Sequence, residues 1–445
     1  MIQYKMLKNY KCFLKLNEGN REMKKLKVVL IGAGNRGTTY TDKMFEHPDM
    51  YEVVAVAEPI NSRREYIKEK HGIKDDMCFE NWRDMLKLGK IADLAIVSTM
   101  DREHIEPALA AIKLKYHLLL EKPIAAEPEE CKKVADCAEE NGVKVVVCTV
   151  LRYTPMFMTL KNIIDSGKIG EIMSINHEEC VGNVHQSHSF VRGNWGREKR
   201  STCMLLQKSC HDIDIIQWLI GKKCVKVQSY GTTSHFVKEN APSCAPDYCI
   251  EGCKLGDTCP YNAVKLYLDD KENDWFRTTC TREANPDDEM VKKAISETQY
   301  GKCVYKCDND VVDQQTVNML FEDDVTVTFS MNAFNKGGRF MHIFATKGEV
   351  KLALSDDETY IKLFDFETRK TEEISMEGKD GINGGHGGGD DGIICALYEY
   401  LNGEYKGNSI PEIRQSSDNH LITFAAEKSR KEKCVVDLQE YIESL

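Results

Sequence analysis

From about residue 26 to 149, continuous apolar runs alternate with charged stretches of helical period. The runs fall at 28–31, 53–57, 94–97, 118–120 and 145–147. A strand buried on both faces reads this way, so they predict a parallel sheet covered by helices. Helical patterns lie between them at 62–71, 81–87, 103–113 and 128–141. The succession is βαβ, which predicts a doubly wound α/β fold with right-handed crossovers.

After Arg152 the pattern changes. Residues 156–166 read as a helix stopped by Gly167 and Gly170, and 325–331 alternate apolar with polar. Such alternation predicts a half-buried strand of an antiparallel or mixed sheet. Residues 340–345 and 350–354 flank a Lys347-Gly348 turn and read as a hairpin, with a further strand at 360–366. The second part is therefore expected to be an α+β unit, an open and mostly antiparallel sheet with helices on one face. The division is a 1–25 extension, a doubly wound domain at 26–150 and an open-sheet domain at 151–445. No internal repeat is evident.

A chain of 445 residues exceeds one core of ordinary size, which agrees with two domains. Its 42% apolar and 29% charged residues describe a soluble globular protein. The net charge of −11 argues against nucleic acid or an anionic membrane as partner. No window holds the roughly 18 consecutive apolar residues of a membrane span. The extension spaces Lys5, Lys8, Lys11 and Lys15 between short apolar groups and lacks the form of a secretory signal. It reads as a frayed helix or as an arm packing on a partner subunit. With no export signal, most of the 18 cysteines are expected to be reduced thiols in the cytoplasm.

The first apolar run ends in Gly32-Ala33-Gly34-Asn35-Arg36-Gly37 and a helical stretch follows. Glycines so placed permit a tight turn, close approach of a pyrophosphate and close helix–strand packing, the Rossmann fingerprint of dinucleotide binding. The bare alternative is a Gly-rich turn that binds nothing. Glu58 ends the second run about 20 residues on, where an acid meets ribose hydroxyls and repels a 2′-phosphate. NAD is therefore expected as cofactor, with NADP the alternative because Arg63 and Arg64 are near. Thr99 and His104, after the run at 94–97, are placed with the cofactor site.

Glu121-Lys122-Pro123 follows the run at 118–120, and strand C-termini are where ligands bind in such sheets. A lysine there would face the nicotinamide, whose oxidised charge lowers the ammonium pKa. As a bare tripeptide it reads equally as a strand-end salt bridge and turn. Together, the glycine fingerprint, the Glu-Lys-Pro tripeptide and a downstream helix carrying His211 resemble the Gfo/Idh/MocA oxidoreductases, from about Leu26 onward. The resemblance implies NAD(P) in the first domain, and a second domain forming the substrate site and contacts of a homodimer or homotetramer. It also implies that Lys122 and Glu121 face cofactor and reacting hydroxyl, with His211 as general acid/base.

On the downstream helix, Gln207, His211, Asp214 and Trp218 share one face at 100° per residue, with Lys208 one turn before His211. The chain departs from the family pattern twice. Ser201-Thr202-Cys203-Met204 replaces glycines before the helix, and Gln207 stands where many members have aspartate. Lys208 is then a candidate second catalytic cation. Candidate substrate residues are Arg152 and Tyr153 at the domain junction, and His188, Arg192, Asn194 and Trp195, which offer hydrogen bonds and aromatic surface to a sugar. Gln207 joins them. In the Gly384–Asp391 run an aspartate is expected to cap a helix, and His386 either belongs to the loop or reaches the substrate.

Cys244, Cys249, Cys253 and Cys259 fall within 16 residues of an insert at about 235–310, followed by Pro260-Tyr261. Four thiolates so spaced can hold structural zinc at about 2.3 Å. Free thiols, an iron–sulfur cluster and a disulfide stay open, and Cys280, Cys303 or Cys307 is a substitute member. The leading expectation is an NAD-dependent oxidoreductase acting on a secondary hydroxyl of a sugar, glycoside or cyclitol. The alternatives are a redox-neutral glycoside hydrolase passing through a 3-keto intermediate, and a cofactor-binding regulator without turnover.

Overall fold

The structure is a computed structural model that describes residues 23–374, 376 and 385–445. Residues 1–22, with the basic extension, and Gly384 of the Gly-rich run lie outside the described residues.

The apolar runs form a parallel sheet of β1 (Leu26–Ile31), β2 (Tyr51–Ala57), β3 (Cys78–Phe79), β4 (Leu94–Val97), β5 (His117–Leu120) and β6 (Val145–Val147). Its order is β3-β2-β1-β4-β5-β6. All residues of β4 and β6 are buried, which is why these runs carry no alternation. The order reverses between β1 and β4, both parallel neighbours, and the crevice beyond their C-terminal ends is the ligand site of such sheets. Helices Asn35–Glu46, Asn61–His71, Ile105–Lys113 and Pro128–Asn141 lie in the crossovers. The helix expected at 103–113 starts later because Asp101–Glu103 winds as a separate 3-10 turn.

The second sheet runs β14-β13-β12-β11-β7-β10-β9-β8-β15 among the described residues. These are β7 (Ile172–Cys180), β8 (Cys224–Thr232), β9 (Gln314–Phe321), β10 (Thr326–Asn332), β11 (Gly338–Ala345), β12 (Gly348–Leu354), β13 (Thr359–Asp365), β14 (Thr371–Ile374) and β15 (Val436–Asp437). All neighbours are antiparallel except β7 and β10. On β10, Val327, Phe329 and Met331 turn inward while Thr326 and Thr328 face solvent. The inner face packs with helices Pro155–Asp165 and Met204–Ile220 into one apolar core. The C-terminal helix Ile413–Glu432 joins the halves, packing on helices 128–141 and 204–220 and on β8.

The insert lies between β8 and β9. It has helices Asp274–Thr281 and Asp288–Glu297 and a small core around Tyr267, Phe276, Ile295 and Tyr300. No described helix is long and apolar enough to cross a membrane.

Two histidines sit in this framework without charge. His188 is fully buried, and burial then Arg192 push its pKa down to about 3. His420 is buried and lowered to about 4, again chiefly by burial. Unfolded histidines take up protons near 6.5. Between about pH 6.5 and 4 the unfolded chain therefore binds more protons, and this stability, complete above 6.5, is lost on acidification. The urea midpoint should hold near pH 7.5 and fall as the pH drops below about 6.5 toward 5, and an equal midpoint at pH 7.5 and pH 5 would contradict neutral burial.

Candidate active site

The Gly-rich turn leaves β1 and enters the 35–46 helix. A Cβ on Gly32 would meet Ser98 O at 2.7 Å, and one on Gly37 would meet Gly32 O at 2.1 Å, so the protein's own packing demands these two glycines. Gly34 is different. It has an ordinary φ of −69°, and a Cβ there would meet only Arg63 Nη1 at 3.7 Å. Space over Gly34 is open at the helix N-terminus, where a pyrophosphate would approach the backbone. The buried Thr99 hydroxyl has no hydrogen-bond partner among the described residues. Both features fit a dinucleotide.

Glu58 is buried, and its carboxylate accepts from Ala33 N at 2.7 Å and Ile60 N at 2.9 Å. Arg64 donates to the Glu58 carbonyl, whereas Arg63 lies beside Gly34. Asn35 opens the helix, and its carbonyl accepts from the Thr39 hydroxyl. His104, placed at the cofactor by sequence, is a buried brace instead. Its ring nitrogens lie 2.6 Å from Pro123 O and 3.1 Å from Thr99 O, tying the loop after β4 to the loop after β5.

Arg36 links the glycine turn to the catalytic loop. Its Nε is 3.0 Å from Glu121 Oε1, its Nη2 is 2.5 Å from Asp390 Oδ1, and Tyr40 donates to Glu121 at 2.6 Å. Burial opposes ionisation of Glu121, but Arg36, Lys122 and Tyr40 together outweigh it and hold the carboxyl below its usual range. Asp390 behaves alike, with burial overcome by His386 and Arg36. Asp390 is therefore a partner of Arg36 and not the expected cap; the cap residue is Gly388, with no side-chain bond. Asp391 meets His47 at 3.1 Å.

Lys122 follows Glu121 before a cis bond to Pro123, and its Nζ donates to Gln207 O at 2.7 Å. The acceptor is the main-chain carbonyl of Gln207, which any residue at that position would offer. One turn on, His211 is buried and its Nδ1 has no hydrogen-bond partner among the described residues. Burial, then the charges of Lys122, His386 and Arg339, push its pKa far down, so the imidazole is neutral. The His386 ring lies 6.2 Å from that of His211, and its Nδ1 is 3.1 Å from Asp390 Oδ2. His386 thus reaches the site.

Lys208 is not a free cation. It pairs with Glu179 at 3.1 Å, Glu179 with Arg339 at 2.6 Å, Arg339 with Asp212 at 2.8 Å, and Asp212 with His177 at 2.8 Å. Glu179, Arg339, Asp212 and also His185, which feels the charges of Lys208 and Lys122, escaped the sequence reading. Alternation on β7 marks His177 and Glu179 as inward-facing and was the available signal.

Several candidate substrate residues are committed elsewhere. Arg152 is 1% exposed, and its Nε and Nη2 bond Asp214 at 2.6 and 2.8 Å. The expected shared face of the 204–220 helix splits, with Asp214 and Trp218 packed on Arg152 and His211 facing the site. That helix is buried nearly all round, so its periodicity could not select a face. Tyr153 is buried beneath Gly392. His188 stacks on Phe276 at 4.1 Å and meets the Tyr267 hydroxyl at 2.8 Å. Arg192 donates to Lys302 O and Tyr261 O. Trp195 packs on Phe190, and Asn194 accepts from Arg282 at 3.4 Å. These residues seat the insert.

Residues 26–149 match the oxidoreductase family described as an NAD-binding Rossmann fold, and 161–403 match its C-terminal alpha/beta domain. The chain belongs to the Gfo/Idh/MocA oxidoreductase family. Inositol 2-dehydrogenase of Salmonella typhimurium is 27% identical over 205 residues, 45% of this chain and 57% of that protein. The match thus spans little more than half of such curated relatives. The Escherichia coli 2,7-anhydro-N-acetylneuraminate hydratase is 30% identical over 139 residues, 31% of this chain and 36% of that protein. Scyllo-inositol dehydrogenase from Lactobacillus casei, solved with NAD(H) and scyllo-inositol, shares the fold with a TM-score of 0.63. Its identity is 16%, with 94% of this chain and 100% of that one covered.

Two substitutions test these assignments. Gly34→Ala should keep its thermal midpoint while NAD binds about tenfold more weakly, a difference of roughly 1.4 kcal/mol. Unchanged affinity in a titration would remove the pyrophosphate from this turn. Arg152→Ala leaves Asp214 buried and unpaired, so it should lose about 3–5 kcal/mol of stability. Its substrate KM should stay near wild type, and a large rise without loss of stability would return Arg152 to the substrate site.

Proposed function

We propose that this Gfo/Idh/MocA protein is an NAD-dependent oxidoreductase acting on a secondary hydroxyl of a small sugar, glycoside or cyclitol. The observation that carries the reading is the pair formed by Lys122 and the neutral, buried His211 with its open Nδ1, beside the Gly34 turn. A neutral imidazole can accept the hydroxyl proton, and the Lys122 ammonium can hold the oxygen by hydrogen bond. When bound, NAD supplies the hydride acceptor, which no side chain can replace. NAD is favoured over NADP because the Glu58 carboxylate at the end of β2 would repel a 2′-phosphate. The inositol dehydrogenase relatives support a cyclitol or sugar as partner. The exposed Met173, Tyr230 and Phe366 of the open-sheet half are assigned to contacts of a homodimer or homotetramer, and the cytoplasm is the compartment proposed.

The hydratase relative favours one second reading, redox-neutral cleavage of a glycoside through a 3-keto intermediate, with the hydride returned. Incubation with sugar and glycoside panels separates the two. NADH formed in proportion to substrate supports net oxidation. Aglycone release with catalytic NAD and solvent deuterium at C2 supports cleavage, and cofactor binding with neither supports a regulator. Lys122→Ala should reduce either turnover by at least about 10², the low end for general acid/base groups, while NAD still binds. Retained turnover in that variant would remove Lys122 from the chemistry.

A further inference from the structure

His47 caps the C-terminus of the 35–46 helix and takes no part in the pair formed by Lys122 and His211. That helix packs on helix Gly389–Asn402, which carries Asp391 in its first turn and Cys395 one turn later. Residues four apart share a helix face, so the carboxylate and the thiol point the same way. Both meet one atom of the imidazole. His47 Nε2 lies 3.1 Å from Asp391 Oδ1 and 3.9 Å from Cys395 Sγ. A ring nitrogen offers one proton or one lone pair in its plane, so it serves one neighbour well. Here it faces two, and both are side chains that bind metal ions as anions.

Among the described residues, these three are the group of His, Cys, Asp and Glu ligand atoms that gathers within 4.8 Å. The insert's Cys244, Cys249, Cys253 and Cys259, expected from their spacing to do so, do not. Zinc bonds of about 2.05 Å to nitrogen and oxygen and about 2.3 Å to sulfur set the ligand spacing. At tetrahedral angles, nitrogen then stands about 3.4 Å from oxygen and about 3.6 Å from sulfur. The observed 3.1 and 3.9 Å differ from these by only about 0.3 Å each. Mixed nitrogen, oxygen and sulfur ligands suit zinc, whereas magnesium and calcium take oxygen. All three side chains are partly exposed, which leaves a fourth position open to water. Lys43, whose charge Asp391 feels, pairs with Glu46 at 2.9 Å, and this offsets its repulsion toward a cation.

We propose that His47, Asp391 and Cys395 bind one zinc ion, with water as the fourth ligand. Zinc takes Nε2 of the imidazole protonated on Nδ1, and the Cys395 thiol releases its proton on binding. The carboxylate and the thiolate cancel the two charges of the ion, so the site is neutral. The ion ties the end of the 35–46 helix to the first turn of helix 389–402, beside the Asp390 that meets Arg36. It is a structural clamp behind that ion set.

The test uses the full chain, stripped with a chelator and titrated with zinc against a chromophoric competitor. Cys395→Ser and His47→Gln should each bind about one zinc fewer per chain than wild type, and this difference counts the proposed site alone. Cobalt in place of zinc should give a thiolate-to-metal absorption band that is weaker in Cys395→Ser. The wild type reports without any substitution, should a variant fail to fold. Zinc should slow alkylation of Cys395 by iodoacetamide at least about tenfold, because a ligated thiolate is no longer free to attack. Mass spectrometry of the peptide carrying Cys395 reads that rate. Equal zinc content in wild type and both variants, or unchanged Cys395 alkylation with zinc present, would overturn the site and leave an ordinary hydrogen bond between His47 and Asp391.

Discussion

The site depends on one shared cation. Arg36 stands between the buried carboxylates of Glu121 and Asp390, with Tyr40 completing the set. These groups come from the glycine turn, the loop after β5 and the Gly-rich run near residue 390. Burial drives both carboxyls toward the neutral acid, and the guanidinium, with Lys122 and Tyr40 at Glu121 and His386 at Asp390, holds both below their usual range. Breaking a buried pair typically costs about 3–5 kcal/mol, and here one group serves two. The ion set therefore fixes the cofactor turn relative to Lys122, and Lys122 relative to the helix that carries His211.

A second ionic chain forms the other wall. Lys208, Glu179, Arg339, Asp212 and His177 run from the 204–220 helix into β7 and β11. Burial opposes the Asp212 charge, and Arg339 and His177 together outweigh it. Burial first, and then cations that include Arg339 and Lys208 of this chain, keep the His211 imidazole neutral. Lys122 meets the main-chain carbonyl of Gln207, and the acids of this wall are Glu179 on the sheet and Asp212 on the helix.

Much of this was legible beforehand. Strands buried on both faces had to be unbroken apolar runs, and β4 and β6 match their runs residue for residue. The glycine turn, Glu58, Lys122 and His211 carry local signals because each works close to its own backbone. Arg152, His188 and Arg192 misled for a common reason. Polar and aromatic side chains near a strand end look alike whether they meet a ligand or a buried partner, and their partners Asp214, Tyr267 and Tyr261 lie 62 to 79 positions away.

By itself the sequence determined the α/β class of the first half, the alternating sheet of the second and the glycine turn. These follow from short-range periodicity and from backbone geometry that only glycine permits. Tertiary structure alone decided that Asp390 belongs to Arg36 and that Lys208 pairs with Glu179. Charge pairing acts through space at a few ångströms. The residues it joins are free to lie anywhere along the chain.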